Sequence, residues 1–160
     1  MFWRIIKKLD FKQLIGLFWL FLQNPLYAFP TIFATKSCMN IAQMEYGSRH
    51  HLSNQANAFR HAFWVILIVK KCLKWRANEE KAKAWAITFT NWHEDFSPNA
   101  ALERAMDLHN NEMGIVIFEE IKNKNEAEIV SFLKRKATEA VKIGTVGEVG
   151  NFKTELIYIE

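Results

Sequence analysis

Apolar positions along the chain fall into blocks at helical spacing, separated by short polar breaks. Residues 1–29 read MFWRIIKKLDFKQLIGLFWLFLQNPLYAF, with an uninterrupted non-polar run at 14–22. That run is nine residues long, whereas a membrane-spanning helix needs about twenty. Lys12, Gln13, Gln23, Asn24 and Pro25 close it on both sides. A cleaved signal peptide fits poorly, because Asp10 interrupts the early pattern and Leu26-Tyr27-Ala28 is a weak cleavage site. The pattern therefore predicts an amphipathic or fully buried N-terminal helix within residues 1–24, ending at Asn24-Pro25.

A second helix is predicted to open at Pro30, since proline at the first helical position loses no hydrogen bond, and to stop at Gly47. The loop 48–54 follows, with Ser53 or Asn54 as the cap of the third helix and with His50 and His51 expected to be solvated. Residues 58–69 read AFRHAFWVILIV, and ten of the twelve are apolar on every face, which marks a helix surrounded by others. Arg60 and His61 are the exceptions. Asn78-Glu79-Glu80 starts a fourth helix, whose stripe of Ala82, Trp85, Ala86, Phe89, His93 and Phe96 turns His93 the same way as the aromatics. A fifth helix is predicted from Ser97-Pro98 through Phe118, and a sixth from the capping box Asn125 to Glu128 as far as Gly144. Residues 152–159 alternate weakly, as a short strand or an extended strap would. The expectation is an all-α, single-domain bundle of five to six helices, with a core domain at 25–146 and a C-terminal tail at 147–160.

Composition narrows the class. The chain has 160 residues, 50 % of them hydrophobic and 24 % charged, enough for one core and incompatible with disorder. Two cysteines, Cys38 and Cys72, show no metal or disulfide spacing and suit a reducing compartment. The net charge of +4 is uneven: residues 1–80 carry eleven Lys/Arg against four Asp/Glu, and 81–160 carry ten against thirteen. Basic and apolar character coincide in the first half, so the expected partner is an anionic membrane surface, met through residues 1–24, and not a nucleic acid. The expected location is cytoplasmic or peripheral to the membrane, with secretion left open. The six tryptophans read as core residues.

The polar residues inside apolar helices are the candidate chemistry. A buried arginine costs several kcal/mol unless compensated, so Arg60 calls for a partner, and Glu94 and Asp107 are the candidates. On the fifth helix Asp107, Asn110, Asn111 and Gly114 fall at i, i+3, i+4 and i+7, one polar face ending in a gap. His109 points away from it and reads as a core histidine. If helices three to five pack together, His61, His93, Glu94 and Asp107 form a candidate catalytic set for acid/base work or divalent-metal ligation. Arg60, Asn110 and Asn111 are then candidates for holding a phosphate or carbonyl oxygen. No P-loop, H-E-x-x-H, G-x-S-x-G or glycine-rich dinucleotide turn is present.

Taken in order, Asn57-Ala58-Phe59-Arg60-His61-Ala62-Phe63-Trp64, His93-Glu94, and Asp107 through Gly114 give N-A-x-R-H-A-x-W, H-E and D-x-x-N-N-x-x-G. This set, within residues 54–118, resembles an uncharacterised bacterial helical domain found alone or at the end of larger secreted and toxin-like proteins. The resemblance implies a helical pocket built on Arg60, His61, His93, Glu94, Asp107, Asn110 and Asn111, and it names no reaction. Two function classes follow. One is a hydrolase-like domain acting on a phosphate- or ester-containing substrate. The other is a non-enzymatic membrane-associated or partner-binding protein whose polar cluster is structural.

Overall fold

A helix that is apolar all round must be wrapped by others, and the computed structural model, which describes residues 10–96 and 99–160, shows that wrapping. Its α-helices are α1 (Phe11–Gln23), α2 (Pro25–Tyr46), α3 (Gln55–Trp75), α4 (Glu79–Phe96), α5 (Ala101–Ile121) and α6 (Glu126–Thr138). Short 3-10 turns lie at Gly47–His51 and Val146–Asn151. Strands β1 (Val141–Lys142) and β2 (Ile157–Tyr158) form a two-stranded parallel pair. The architecture is the expected all-α bundle with a short C-terminal strand. Helix α3 is its axis: α2, α4, α5 and α6 all pack on it, and every residue from Ala56 to Val69 except Arg60 is buried.

Local chemistry sets the helix starts. Asp10 accepts from the Gln13 amide while the Gln13 side chain accepts from the Asp10 amide, a complete capping box. Asn54 accepts from the amides of Ala56 and Asn57, Asn78 from Lys81, and Asn125 from Glu128. Helix α2 starts at Pro25, five residues before its expected start, and carries Pro30 inside it. An internal proline costs about 3 kcal/mol. The stripe Tyr27, Thr31, Ala34, Cys38 and Ala42 is buried at helical spacing, and its summed burial offsets that cost. Two α2 threonines also serve the core tryptophans: Thr31 accepts from the Trp85 indole at 2.8 Å and Thr35 from Trp64 at 2.9 Å.

Three further expectations are corrected. Helix α5 begins at Ala101, where Glu103 accepts from the Ala100 amide; Ser97 and Pro98 lie outside the described residues. Helix α6 ends at Thr138, because Val141 leaves the helical ladder to donate to the Leu156 carbonyl. Of the tryptophans, Trp64 and Trp85 are buried and Trp92 packs partly buried against the core, whereas Trp19 and Trp75 are exposed; Trp3 lies outside the described residues. The tail is held firmly: Asn110 donates to the Ile157 carbonyl and accepts from its amide, and Ile159 and Glu160 donate to the Ser53 carbonyl.

Helices α3 and α5 meet at Gly114. A Cβ there would lie 2.8 Å from the Ala62 carbonyl oxygen and 2.9 Å from Val65 Cβ, so only glycine permits this approach. Gly114→Ala is expected to cost about 1–3 kcal/mol in urea unfolding. Gly147→Ala, with open space around the new Cβ, is expected to stay within about 0.5 kcal/mol of wild type.

Candidate functional site

Asn57, Arg60 and His61 share one face of α3, being three and four residues apart. The close α3–α5 approach sets that face against Asp107 and Asn111, and the end of α4 adds His93 and Glu94. All of these except Asn111, together with His51, Ser53, Asn99 and Glu103, surround a cavity of about 450 Å³ whose walls are polar. His61, Glu94 and Asp107 are nonetheless almost wholly removed from solvent, at 2 %, 1 % and 3 % exposure.

The hydrogen bonds fix the state of His61. Its Nδ1 lies 3.2 Å from Asn111 Oδ1, an acceptor, so Nδ1 carries the proton. Its Nε2 lies 2.6 Å from Arg60 Nη2, which can only donate, so Nε2 presents a lone pair. Asp107 Oδ1 is 3.2 Å from that same Nε2, and Glu94 Oε1 is 3.7 Å from Nδ1. Arg60 also donates to the His50 carbonyl at 2.8 Å and is only partly buried. It forms no direct ion pair with Glu94 or Asp107, contrary to the pairing its burial suggested; the His50 carbonyl and partial solvation hold it instead.

The carboxylates are less well served. Asp107 Oδ2 accepts from Asn99 at 3.2 Å, but Asp107 Oδ1 and both oxygens of Glu94 are buried without a hydrogen-bond partner. Burial pushes Glu94 up to about 8, helped by the charge of Asp107 and opposed by Arg60. Burial likewise pushes Asp107 up to about 7, again opposed by Arg60. Desolvation, with Arg60 next in weight, holds His61 well below its ordinary range and lowers His93 to about 4, so both imidazoles are neutral at physiological pH. A neutral imidazole lone pair beside two desolvated carboxyl groups is a donor set that a cation would complete by displacing the carboxyl protons. His61, Glu94 and Asp107 each offer one ligand atom, all within 4.8 Å of one another. One histidine and two carboxylates suit a divalent ion such as Mn²⁺, Fe²⁺ or Zn²⁺, and the Asn111 contact to Nδ1 is the outer-shell bond that orients a ligating imidazole.

Other residues fall elsewhere. His93 lines the cavity with its ring edge-on to Trp64, centroids 5.2 Å apart, outside the three-residue cluster. Asn110 turns to the Ile157 backbone and His109 bonds the Glu155 carbonyl at 2.9 Å, so both hold the tail and neither lines the cavity. His50, expected in solvent, is fully buried: its ring meets Gln43 and lies tilted against His51 while its carbonyl receives Arg60. Sequence reasoning passed over Asn57, Ser53, Asn99 and Glu103. Asn57 and Glu103 each stand four residues before a singled-out residue, His61 and Asp107, and that spacing was the available signal. Ser53 and Asn99 lie outside the helices, where no periodicity points.

Buried carboxyls with raised pKa values give a definite sign. The folded chain keeps protons that the unfolded chain, with carboxyls near 4, has released, so stability falls as pH rises. Above about pH 7.5 the unfolded histidines are largely neutral too and add little slope. Chelator-treated protein is expected to lose about 1 kcal/mol between roughly pH 7.5 and 9, and Glu94→Gln to remove most of that loss. Urea unfolding across the interval checks this; stability rising with pH would contradict it.

No curated protein and no solved structure matches the chain. One family model does, over residues 18–141, a span that includes α2 to α6 and every residue of the His61, Glu94 and Asp107 cluster. The chain therefore belongs to the family described as a domain of unknown function, DUF6973.

Proposed function

We propose that the cavity is a divalent-metal centre that hydrolyses a phosphate- or ester-containing substrate. The observation that carries this reading is the convergence of three unpartnered, buried carboxylate oxygens on the His61 cluster. A purely structural network would pair such atoms, because a buried unsatisfied carboxylate oxygen costs well over a typical hydrogen bond. Here they face a cavity with room for more than one water.

The residues divide the work. His61, Glu94 and Asp107 would hold the ion, which when bound polarises a phosphoryl or acyl oxygen and acidifies a nucleophilic water. Ligation through His61 Nε2 and the Arg60 hydrogen bond to Nε2 exclude each other. An ion held through Nε2 would leave Arg60 Nη2 free to meet an anionic substrate oxygen, which would favour a phosphate ester over a neutral one. Asn57, whose side-chain oxygen is buried without a partner, supplies an acceptor on the same wall. His93, neutral at the cavity edge, offers a hydrogen-bonding imidazole toward the substrate. Asn111 keeps the His61 tautomer fixed.

Metal content of untagged protein, measured by mass spectrometry after dialysis against Mn²⁺ or Zn²⁺, tests the proposal. Wild type is expected to retain one ion per chain, Asn111→Leu to weaken binding by about 10–100-fold, and Glu94→Gln and Asp107→Asn to abolish it while remaining folded. Hydrolysis of bis(p-nitrophenyl) phosphate should follow metal occupancy. Retention of metal by both carboxylate variants, or none in wild type, would overturn the reading in favour of a structural cluster.

A further inference from the structure

Helix α1 carries more apolar surface than the fold covers. It reads FKQLIGLFWLFLQ, non-polar around most of its circumference, yet Leu17 is its one buried residue. Phe18, Trp19 and Leu22 are 63 %, 56 % and 54 % exposed, and on the adjoining α2 Leu26, Phe29 and Phe33 are 50 %, 59 % and 56 % exposed. Positions 15, 18 and 22 and positions 26, 29 and 33 repeat the same three- and four-residue spacing, so each helix presents one stripe to solvent. Trp75, at the end of α3, stacks on Phe29 and extends the second stripe. Scattered exposed apolar side chains are ordinary in a folded protein; two aromatic stripes on adjoining helices are not.

Charge narrows the occupant. Between Asp10 and Glu45 the sequence has no acid, and its charged residues are Lys12 and Lys36, both exposed. Lys74 and Arg76, also exposed, flank Trp75. A second copy of the chain fits this surface badly, because a two-fold interface would lay the stripe on itself and leave its lysines with no acid to meet. An anionic bilayer complements both features at once: aromatic rings suit the headgroup boundary and lysines suit the phosphates. No helix among the described residues is long and apolar enough to cross a membrane, so the geometry is one of lying on it.

We propose that α1 and the exposed stripe of α2 seat this protein in the interfacial layer of an anionic membrane. The inference stands independently of the chemistry assigned to the cavity. The test is flotation of the full chain with phosphatidylcholine vesicles and with phosphatidylcholine/phosphatidylglycerol vesicles. Flotation is expected with the anionic vesicles alone, and high salt is expected to weaken it. The triple variant Phe18→Ser/Leu22→Ser/Phe29→Ser should reduce the bound fraction by at least about tenfold, whereas Val116→Ser, on α5, should leave it unchanged. Lys12→Glu/Lys36→Glu keeps every apolar residue and should also reduce binding, so the proposal is testable even if the triple variant misfolds. Absence of flotation, equal flotation with neutral vesicles, or a dimer in light scattering that the triple variant dissolves would each overturn it.

Discussion

Helix α3 has no face that can meet water along most of its length, and the remainder of the bundle is organised by the need to cover it. Four helices pack against it, and at Gly114 α5 comes near enough to touch the Ala62 backbone. The same closeness creates the site. Arg60 and His61 interrupt the apolar sequence on the side where α4 and α5 converge, so burying α3 brings those two residues together with Glu94 and Asp107. The polar cluster is a product of the hydrophobic packing, set within about two helical turns of the Gly114 contact.

That arrangement also accounts for the electrostatics. Removing two carboxyls from water raises both of their pKa values, and the nearby guanidinium opposes the shift without cancelling it. Arg60 is kept from pairing with either acid by its bonds to the His50 carbonyl and to His61. A direct Arg60–Asp107 pair would instead have favoured the ionised form of that carboxyl. The 3-10 turn carrying His50 therefore matters to the site although its side chain does not enter the cavity, and the buried position of His50 follows from its backbone's role as the arginine's acceptor.

Much of this was legible in the sequence, and the parts that were not share a cause. The order of the helices, the caps at Asn54, Asn78 and Asn125, and the central position of residues 58–69 follow from periodicity and side-chain chemistry, both local signals. Helix ends governed by distant partners did not: α2 continues through Pro30 because its stripe packs on α3, and α6 stops short of Gly144 because Val141 finds Leu156 across the fold. The site divides in the same way. Arg60, His61, Glu94 and Asp107 announce themselves as polar residues amid apolar or clustered polar surroundings. Adjacent Asn110 and Asn111 look equivalent in sequence, and only the docking of residues 157–158 against α5 assigns one to the tail and the other to His61.

Those two asparagines have a consequence for how the site can be observed. They sit side by side on α5 and point about 100° apart, one clasping both polar groups of the Ile157 backbone and the other fixing the His61 tautomer. Turning α5 about its axis would break both contacts together, so the helix has one rotational setting that serves tail and cavity alike. The Ile157 amide is bonded to a side chain of the helix that carries the site, and it can exchange with deuterium only when that grip opens. A single backbone amide outside the cavity thus reports the opening of the element that holds the His61 tautomer in place.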